Sequence, residues 1–248
     1  MKLLLIGAGN MGGAMIPGLL DHDLTVVEAW ETRRKELSRN YPGLKLVESI
    51  PSLEGYVVIL AIKPQSLERL KTEGEAQALI SILAGTPLEK LRAKVRAKAY
   101  IRAMPNIAAL KQRSVTSVTG DTAFRDEALT ILSSIGKAIW LDNEKQLDIA
   151  TGIGGSAPAW MALVAEALAD GAVNLGLPRQ VSYEYVAALM DGMGALLADE
   201  HPALLKDKVM SPGGTTAAGY AALEEAGVRD AFIEAMAAAY RRSLELGR

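Results

Sequence analysis

Two short stretches of the sequence carry residue types whose spacing could do chemistry. Gly7-Ala8-Gly9-Asn10-Met11-Gly12 is a complete G-x-G-x-x-G pattern, and Ser211-Pro212-Gly213-Gly214-Thr215-Thr216 combines hydroxyl groups with glycines. In the first pattern, the glycines permit a tight turn and a close approach of the backbone to a diphosphate. In the second, free N–H groups and hydroxyls ahead of a helix suit a small anion such as a carboxylate. The two stretches therefore predict a dinucleotide site and an anion site.

Each stretch also has a purely structural interpretation. The glycine pattern could only pack a helix against a strand, and residues 211–216 could only cap a helix. The context favours binding for the first stretch, because Leu3–Ile6 reads as a buried strand before it and a helix follows. Pro17 is expected to kink that helix. For the second stretch, the presence of a nucleotide crevice elsewhere in the chain favours binding over capping.

The end of the predicted second strand, residues 25–30, offers two opposing indications of the cofactor. Glu31 lies about 20 residues after the glycine pattern, where a carboxylate takes the ribose hydroxyls of NAD. Thr32, Arg33 and Arg34 follow directly. Their hydroxyl and two guanidinium groups suit the 2′-phosphate of NADP. The alternative is that both arginines are solvated charges at a helix start. We expect NADPH to be preferred to NADH, with Glu31 opposing that preference.

Further apolar runs place these residues in an α/β fold. They predict strands over residues 56–62, 79–84, 99–104, 115–119 and 137–141. Ligands of open parallel sheets lie outside the carboxyl ends of the strands, so the ends of these runs should form one crevice with the glycine pattern. Residues 1–146 are therefore predicted to form an N-terminal NAD(P)-binding domain with a Rossmann-type parallel sheet.

The second half of the chain is rich in alanine and predicts helices only. The expected helices cover residues 159–175, 179–198, 202–209, 215–226 and 229–246. About 100 residues of this composition leave apolar surface that they do not bury alone. Residues 147–248 are therefore predicted to be an all-α C-terminal domain that pairs with a second copy of the chain.

Composition excludes several classes of function. A net charge of −2 without a basic stripe argues against nucleic acid or a membrane surface as partner. The absence of cysteine and the lack of paired histidines argue against disulfides, a metal site and a cysteine nucleophile. The apolar start ends at Gly7, too early for a signal peptide, so we expect a cytoplasmic protein. With no evident general acid, hydride transfer to an already activated acceptor fits best.

Stretches along nearly the whole chain resemble one known family, the pyrroline-5-carboxylate reductases. The matching stretches are IGAGNMGGAM (6–15), LAIKPQ (60–65), SILAG (81–85), RAMPN (102–106), GSAPAW (155–160), ALADGAVNLGLPR (167–179), HPALLKDKVMSPGGTTAAG (201–219) and LEEAGVRDAFIEAMAAAYRRSLEL (223–246). The segment that contains LKDKV and SPGGTT is highly specific to that family, whereas the glycine pattern is not.

The resemblance implies reduction of the C=N bond of 1-pyrroline-5-carboxylate to L-proline by NADPH or NADH. It implies a carboxylate-binding turn made by Ser211, Gly213, Gly214, Thr215 and Thr216, with the Thr216 hydroxyl facing the ring nitrogen as the catalytic group. Cofactor contacts would come from Ile6, Gly7, Ala8, Gly9, Asn10, Met11, Gly12, Ala61, Ile62, Lys63 and Pro64, and from Leu83, Ala84 and Asn106 at the nicotinamide end. It also implies a homodimer through the C-terminal helices that closes each turn over the neighbour's crevice, and rings of dimers.

Some positions depart from the family pattern, and other functions remain open. Ala157 and Trp160 stand where the family usually has Gly or Ser and Tyr, which affects the shape of the pocket and the range of substrates. A reductase of another small cyclic imine carboxylate and a non-catalytic NADP(H)-binding sensor are the alternatives. A β-hydroxyacid dehydrogenase would need a catalytic lysine early in the second domain, yet no lysine occurs between Lys145 and Lys206.

Overall fold

The computed structural model describes residues 1–246, which form two compact units. The first unit is Met1–Ser156 together with the chain from Ala238, and the second is Ala157–Ala237. The domain boundary expected between residues 146 and 147 stays a prediction. The last two residues of the predicted second domain lie outside the described residues.

One eight-stranded sheet forms the centre of the first unit, with its strands in the order β3-β2-β1-β4-β5-β6-β7-β8. In chain order the strands β1 to β8 are Lys2–Ile6, Asp23–Val27, Lys45–Val47, Val57–Leu60, Ala78–Ser81, Tyr100–Met104, Ser114–Gly120 and Gly136–Trp140. All neighbouring strands are parallel except β6 and β7, which are antiparallel. The predicted α/β fold with a Rossmann-type sheet is confirmed, and the short strand β3 is an addition to it.

Ten α-helices accompany the sheet in the described part of the chain. In chain order α1 to α10 are Asn10–Leu19, Glu31–Asn40, Leu88–Lys94, Arg125–Ser133, Glu144–Thr151, Ala157–Asn174, Arg179–Asp199, Pro202–Val209, Thr215–Glu225 and Val228–Leu246. Helix α1 continues across Pro17 to Leu19. A π-helical turn, Gly152–Ser156, follows α5 directly. None of the described helices is both long and apolar enough to cross a membrane.

The core of the first unit lies on both faces of the sheet. Alternate residues of β1 divide between two buried clusters, Leu3 and Leu5 in one and Leu4 and Ile6 in the other. Side chains of a strand point to opposite faces in turn, so a continuous apolar run requires cover on both sides. This arrangement holds the carboxyl ends of β1, β2 and β4 at one edge of the first unit.

The second unit consists of α6 to α9 and the first part of α10. Gly176, with a φ of 104°, follows α6, and Pro178 caps α7. Glycine adopts this left-handed conformation at little cost, which ends the helix at this point. At the start of α8, Nδ1 of His201 accepts a hydrogen bond from the Ala203 N–H at 3.3 Å, so this histidine caps a helix. The all-α character predicted for this half is confirmed.

Candidate active site

A crevice of about 930 Å³ opens at the carboxyl ends of β1, β2 and β4. The predicted cofactor residues that line it are Ile6, Gly7, Gly9, Asn10, Met11, Ala61, Ile62 and Lys63. Residues that the sequence reasoning did not assign also line it, among them Glu28, Trp30, Glu48, Arg69 and Lys71. The structure therefore brings the glycine loop and the segment after β4 together, as expected for a dinucleotide site.

The three glycines of the loop hold their positions for different reasons. Gly7 has a φ of 94°, and a Cβ at this residue would lie 2.8 Å from the Ala61 carbonyl oxygen. A Cβ at Gly12 would lie 2.1 Å from the Gly7 carbonyl oxygen, so a side chain there would push α1 away from the strand. A Cβ at Gly9 would meet nothing within 4 Å. Gly9 lines the crevice, so the chain leaves space for a ligand beside it.

The beginning of α1 can hold a diphosphate. Gly9 is the N-cap residue, and no side chain accepts a hydrogen bond from the first turn. The first N–H groups of a helix have no partner within the helix, and the helix dipole makes this end positive. An anion at this position would take up those N–H groups. The loop therefore fits the phosphates of a nicotinamide dinucleotide.

Glu28 connects the glycine loop to the segment after β2. Its Oε2 accepts a hydrogen bond from the Ala8 N–H at 3.0 Å, and its Oε1 accepts one from the Trp30 N–H at 3.0 Å. Glu28 is buried and Ala8 is fully buried, so Ala8 does not itself line the crevice. The carboxylate thus fixes the loop from its β2 side.

The four residues assigned to the ribose or its 2′-phosphate lie outside the lining of the crevice. Glu31 begins α2 and forms an exposed ion pair with Lys35 at 2.7 Å. Thr32 is exposed on the same helix turn. All four residues therefore lie on α2, beyond the end of β2.

Both arginine side chains hold partners within the chain. Arg33 donates from Nε to the Ala8 carbonyl oxygen at 2.9 Å and pairs with Glu36 at 2.7 Å. Arg34 donates to the carbonyl oxygens of Glu28 and Ala29, at 2.7 and 2.6 Å, and pairs with Glu48 at 3.0 Å. Arg33 lines a second, smaller cavity of about 330 Å³ between α1 and α2.

The residues predicted at the nicotinamide end follow β5 and β6 and also stay outside the lining of the crevice, as does Pro64. Leu83 is buried and Ala84 is half-buried, while their neighbour Ile82 does line the crevice. Asn106 is buried, and its Nδ2 donates to the Gly154 carbonyl oxygen at 2.8 Å. Its Oδ1 accepts from the Ala108 N–H at 3.1 Å. This amide joins the end of β6 to the π-helical turn.

A buried ion-pair network joins β6 to α5, and it was not predicted from the sequence. Arg102, on β6, donates to Glu144 at 2.8 Å and to Asp148 at 2.9 Å, both on α5. Glu144 also accepts a hydrogen bond from the Leu88 N–H at 2.9 Å. A charged residue in an otherwise apolar strand is buried only when paired, and that rule could have identified the network. The network fastens α5 and the start of α3 to the sheet.

The predicted anion-binding turn belongs to the second unit. Gly213 has a φ of 69°, and the Gly214 N–H donates to the Ser211 carbonyl oxygen at 3.0 Å. Gly214 is the N-cap residue of α9, and no side chain caps the helix. The threonines at positions 215 and 216 are the first helical residues, and both are exposed. The structure thus leaves the first N–H groups of α9 available to an anion.

A charged cluster lies along α9, C-terminal to that turn. Nζ of Lys206 lies 5.3 Å from the ring centre of Tyr220, and Arg229 donates to the Tyr220 hydroxyl at 2.7 Å. Arg229 also donates to Glu224, and this hydrogen bond holds the pKa of the Glu224 carboxyl below its usual value. Across residues 1–246, no group of acidic, histidine or cysteine side chains has the arrangement of a metal site.

Comparison with known proteins identifies relatives over the full length. Residues 144–246 match the family described as pyrroline-5-carboxylate reductase dimerisation, and residues 2–85 match the family described as NADP oxidoreductase coenzyme F420-dependent. A pyrroline-5-carboxylate reductase of Synechocystis is 37% identical and covers 100% of this chain and 99% of its own length.

Solved structures agree with these sequence matches. A pyrroline-5-carboxylate reductase from Coxiella burnetii is 26% identical, with a TM-score of 0.86 over 100% of this chain and 98% of the other. A pyrroline carboxylate reductase from Plasmodium falciparum with NADP bound is 26% identical, with a TM-score of 0.81 over 100% of both chains.

Proposed function

We infer the function from one premise: the chain belongs to the pyrroline-5-carboxylate reductase family. The protein is an oxidoreductase that reduces 1-pyrroline-5-carboxylate to L-proline, the last step of proline biosynthesis. The observation that carries this conclusion is the full-length match, which includes both the nucleotide crevice and the uncapped turn before α9.

The reductant is a nicotinamide dinucleotide. Gly9 and the first turn of α1 would hold its diphosphate, because the loop leaves space and unpartnered N–H groups there. When bound, the reduced nicotinamide supplies a hydride for the carbon of the substrate C=N bond. The protein chain positions the substrate and keeps its nitrogen in a polar contact.

The turn Ser211–Thr216 would hold the substrate. The first N–H groups of α9 and the Ser211 hydroxyl suit the carboxylate, and the Thr216 hydroxyl would face the ring nitrogen. A cyclic imine can arrive protonated, so the ring nitrogen already carries the proton that the product amine keeps. With this substrate, the reaction does not require a separate histidine or cysteine as proton donor.

The prediction of NADPH as the preferred form depends on Thr32, Arg33 and Arg34 being free to take a 2′-phosphate. Both guanidinium groups hold partners, so a 2′-phosphate has to compete with Glu36 and Glu48 for them. The choice between NADPH and NADH therefore depends on the residues that line the β2 side of the crevice.

The protein assembles with copies of itself, because residues 144–246 match a dimerisation family. We propose that the second unit forms the dimer, that the turn of one subunit serves the crevice of its neighbour, and that dimers can join into a larger ring. The cytoplasmic location expected from the sequence stays a prediction.

A spectrophotometric assay tests the proposed function. Protein, reduced dinucleotide and 1-pyrroline-5-carboxylate are mixed, and the absorbance of the reduced dinucleotide is followed while chiral chromatography identifies the product. We expect stoichiometric formation of L-proline. A cyclic imine carboxylate with a six-membered ring serves as the comparison substrate, since Ala157 and Trp160 depart from the family pattern. No turnover of the five-membered ring with either dinucleotide would overturn the assignment.

A further inference from the structure

Glu28 is the acidic side chain that the structure places at the β2 side of the crevice. It directly follows β2, it lines the crevice, and only 7% of its surface is exposed. Each carboxylate oxygen accepts one backbone N–H, from Ala8 and from Trp30. A carboxylate oxygen has two lone pairs, so each oxygen can still accept a hydrogen bond from a ligand hydroxyl.

The order of the strands assigns this side of the crevice to adenosine. Strands β2 and β3 lie on one side of β1, whereas β4, β5 and β6 lie on the other. With a diphosphate at the start of α1, the adenosine ribose lies toward the end of β2, where an acidic residue takes its hydroxyls. Beside Glu28, the lining here includes Glu48 and Trp30, and Trp30 is 77% exposed. The adenosine side thus carries two carboxylates, of which Glu48 pairs with Arg34 at 3.0 Å and Glu28 pairs with no side chain in the described part of the chain.

The cationic side chains of the lining come from a different segment of the chain. Lys63, Arg69 and Lys71 line the crevice, and all three belong to the segment that follows β4 in the chain. Cations in this segment favour any anionic dinucleotide, NADH as well as NADPH. Arg33 and Arg34 do not line the crevice and already hold carboxylates and carbonyl oxygens. A 2′-phosphate on the ribose would face Glu28, and the two arginines in the first turn of α2 already pair with Glu36 and Glu48.

We propose that Glu28 makes this crevice selective for NADH over NADPH, by accepting hydrogen bonds from the ribose hydroxyls and repelling a 2′-phosphate. The proposal rests on the crevice being the dinucleotide site of the proposed function. It reverses the preference predicted from Arg33 and Arg34. The acidic residue responsible is Glu28 rather than Glu31, because β2 ends at Val27 and not at Trp30.

Binding measurements without substrate test this proposal. Dissociation constants of NADH and NADPH are measured by calorimetry for the parent protein, and so are those of ADP-ribose and its 2′-phosphorylated form. We expect the parent to bind the form without the 2′-phosphate at least about tenfold more tightly, since like charges at short range in a partly buried site repel strongly. Equal affinities, or tighter binding of NADPH, would overturn the proposal without any variant.

Three glutamate variants then locate the effect. Glu28→Gln should reduce the NADH preference at least about fivefold, chiefly by tightening NADPH binding. Glu127→Gln, an exposed site on α4, is the matched control and should keep the parental ratio. Glu31→Gln tests the residue predicted from the sequence spacing. A ratio that changes in Glu31→Gln and not in a folded Glu28→Gln would contradict the assignment.

Turnover separates this inference from the proposed function. An enzyme that reduces 1-pyrroline-5-carboxylate with a higher kcat/KM for NADPH refutes the role of Glu28 and leaves the function intact. A protein that binds NADH selectively but turns over no pyrroline-5-carboxylate supports the role of Glu28 and refutes the function.

Discussion

The two units of this chain bury their apolar residues to very different extents. In the first unit, whole strands such as Val57–Leu60 and Ala78–Ser81 are buried. In Ala157–Ala237, the buried residues are only Ala169, Ser182, Val186 and Leu205. Large apolar side chains there are exposed instead, including Leu163, Leu175, Tyr185, Leu189 and Ile233.

This contrast indicates that the two units have different roles. The first unit completes its own core and can present a finished dinucleotide crevice. The second unit leaves far more apolar surface than a monomeric protein usually exposes, so it needs a partner surface, and we propose that a second copy of the chain provides one. The turn that we propose to bind the substrate carboxylate lies in the unit that is incomplete alone, which is why we expect activity to depend on assembly.

The largest effect is expected from charging the exposed face of the second unit. Leu189, on α7, is 50% exposed, and Leu189→Glu should place a charge in an apolar interface. We expect loss of the dimer in light scattering and at least about a hundredfold loss of activity. Leu20→Glu, at a 46% exposed leucine of the first unit, is the matched control and should stay dimeric and active. A dimeric, fully active Leu189→Glu enzyme would remove Leu189 from the interface.

The second largest effect, on dinucleotide affinity, is expected from a side chain at Gly9. Because a Cβ at this residue meets nothing within 4 Å, Gly9→Asp should fold with parental thermal stability. Its carboxylate would occupy the place of the diphosphate, so we expect dinucleotide affinity to fall by about 100-fold or more. Calorimetry and thermal unfolding measure the two quantities. Gly12→Ala provides the contrast, since its Cβ would meet the Gly7 carbonyl oxygen, and it should lose stability as well.

Substitutions in the turn should change catalysis and leave the first unit untouched. Thr216 is exposed at the start of α9, and no side chain caps that helix, so Thr216→Val removes no cap. We expect parental folding and dinucleotide affinity, with kcat/KM for 1-pyrroline-5-carboxylate reduced on the order of 100-fold. Steady-state kinetics with both substrates varied measure the change.

Ser211→Ala is the comparison for Thr216→Val. A carboxylate carries the same charge in the ground and transition states, so the loss of one of its donors should raise KM and leave kcat nearly unchanged. Parental turnover in Thr216→Val would assign the whole turn to structure.

Much of this fold was predictable because its elements are strongly patterned. Continuous apolar runs located seven strands, and Gly176 and Pro178 marked the end of α6 and the start of α7. Strand β3 was missed because it has three residues, none of them buried. The antiparallel β6–β7 pair was not predicted either, since strand direction depends on the course of the connection between two strands.

The candidate site was predicted less completely, and Glu28 shows why. The apolar run was taken to continue to Trp30, which moved the expected end of β2 three residues too far and shifted attention to Glu31. Spacing rules also carry no information on side-chain partners, so the ion pairs of Arg33 with Glu36 and of Arg34 with Glu48 could not be predicted. Only the three-dimensional arrangement shows which charges face the crevice.

One measurement tests most directly the claim that each active site combines the first unit of one subunit with the second unit of its neighbour. Gly9→Asp and Thr216→Val chains are produced together with different affinity tags, and the mixed dimers are isolated and assayed. If each site combines the crevice of one subunit with the turn of its neighbour, one of the two sites in a mixed dimer is free of both substitutions. We then expect about half of the parental activity, although each variant alone is nearly inactive. Mixed dimers no more active than the separate variants would contradict the account.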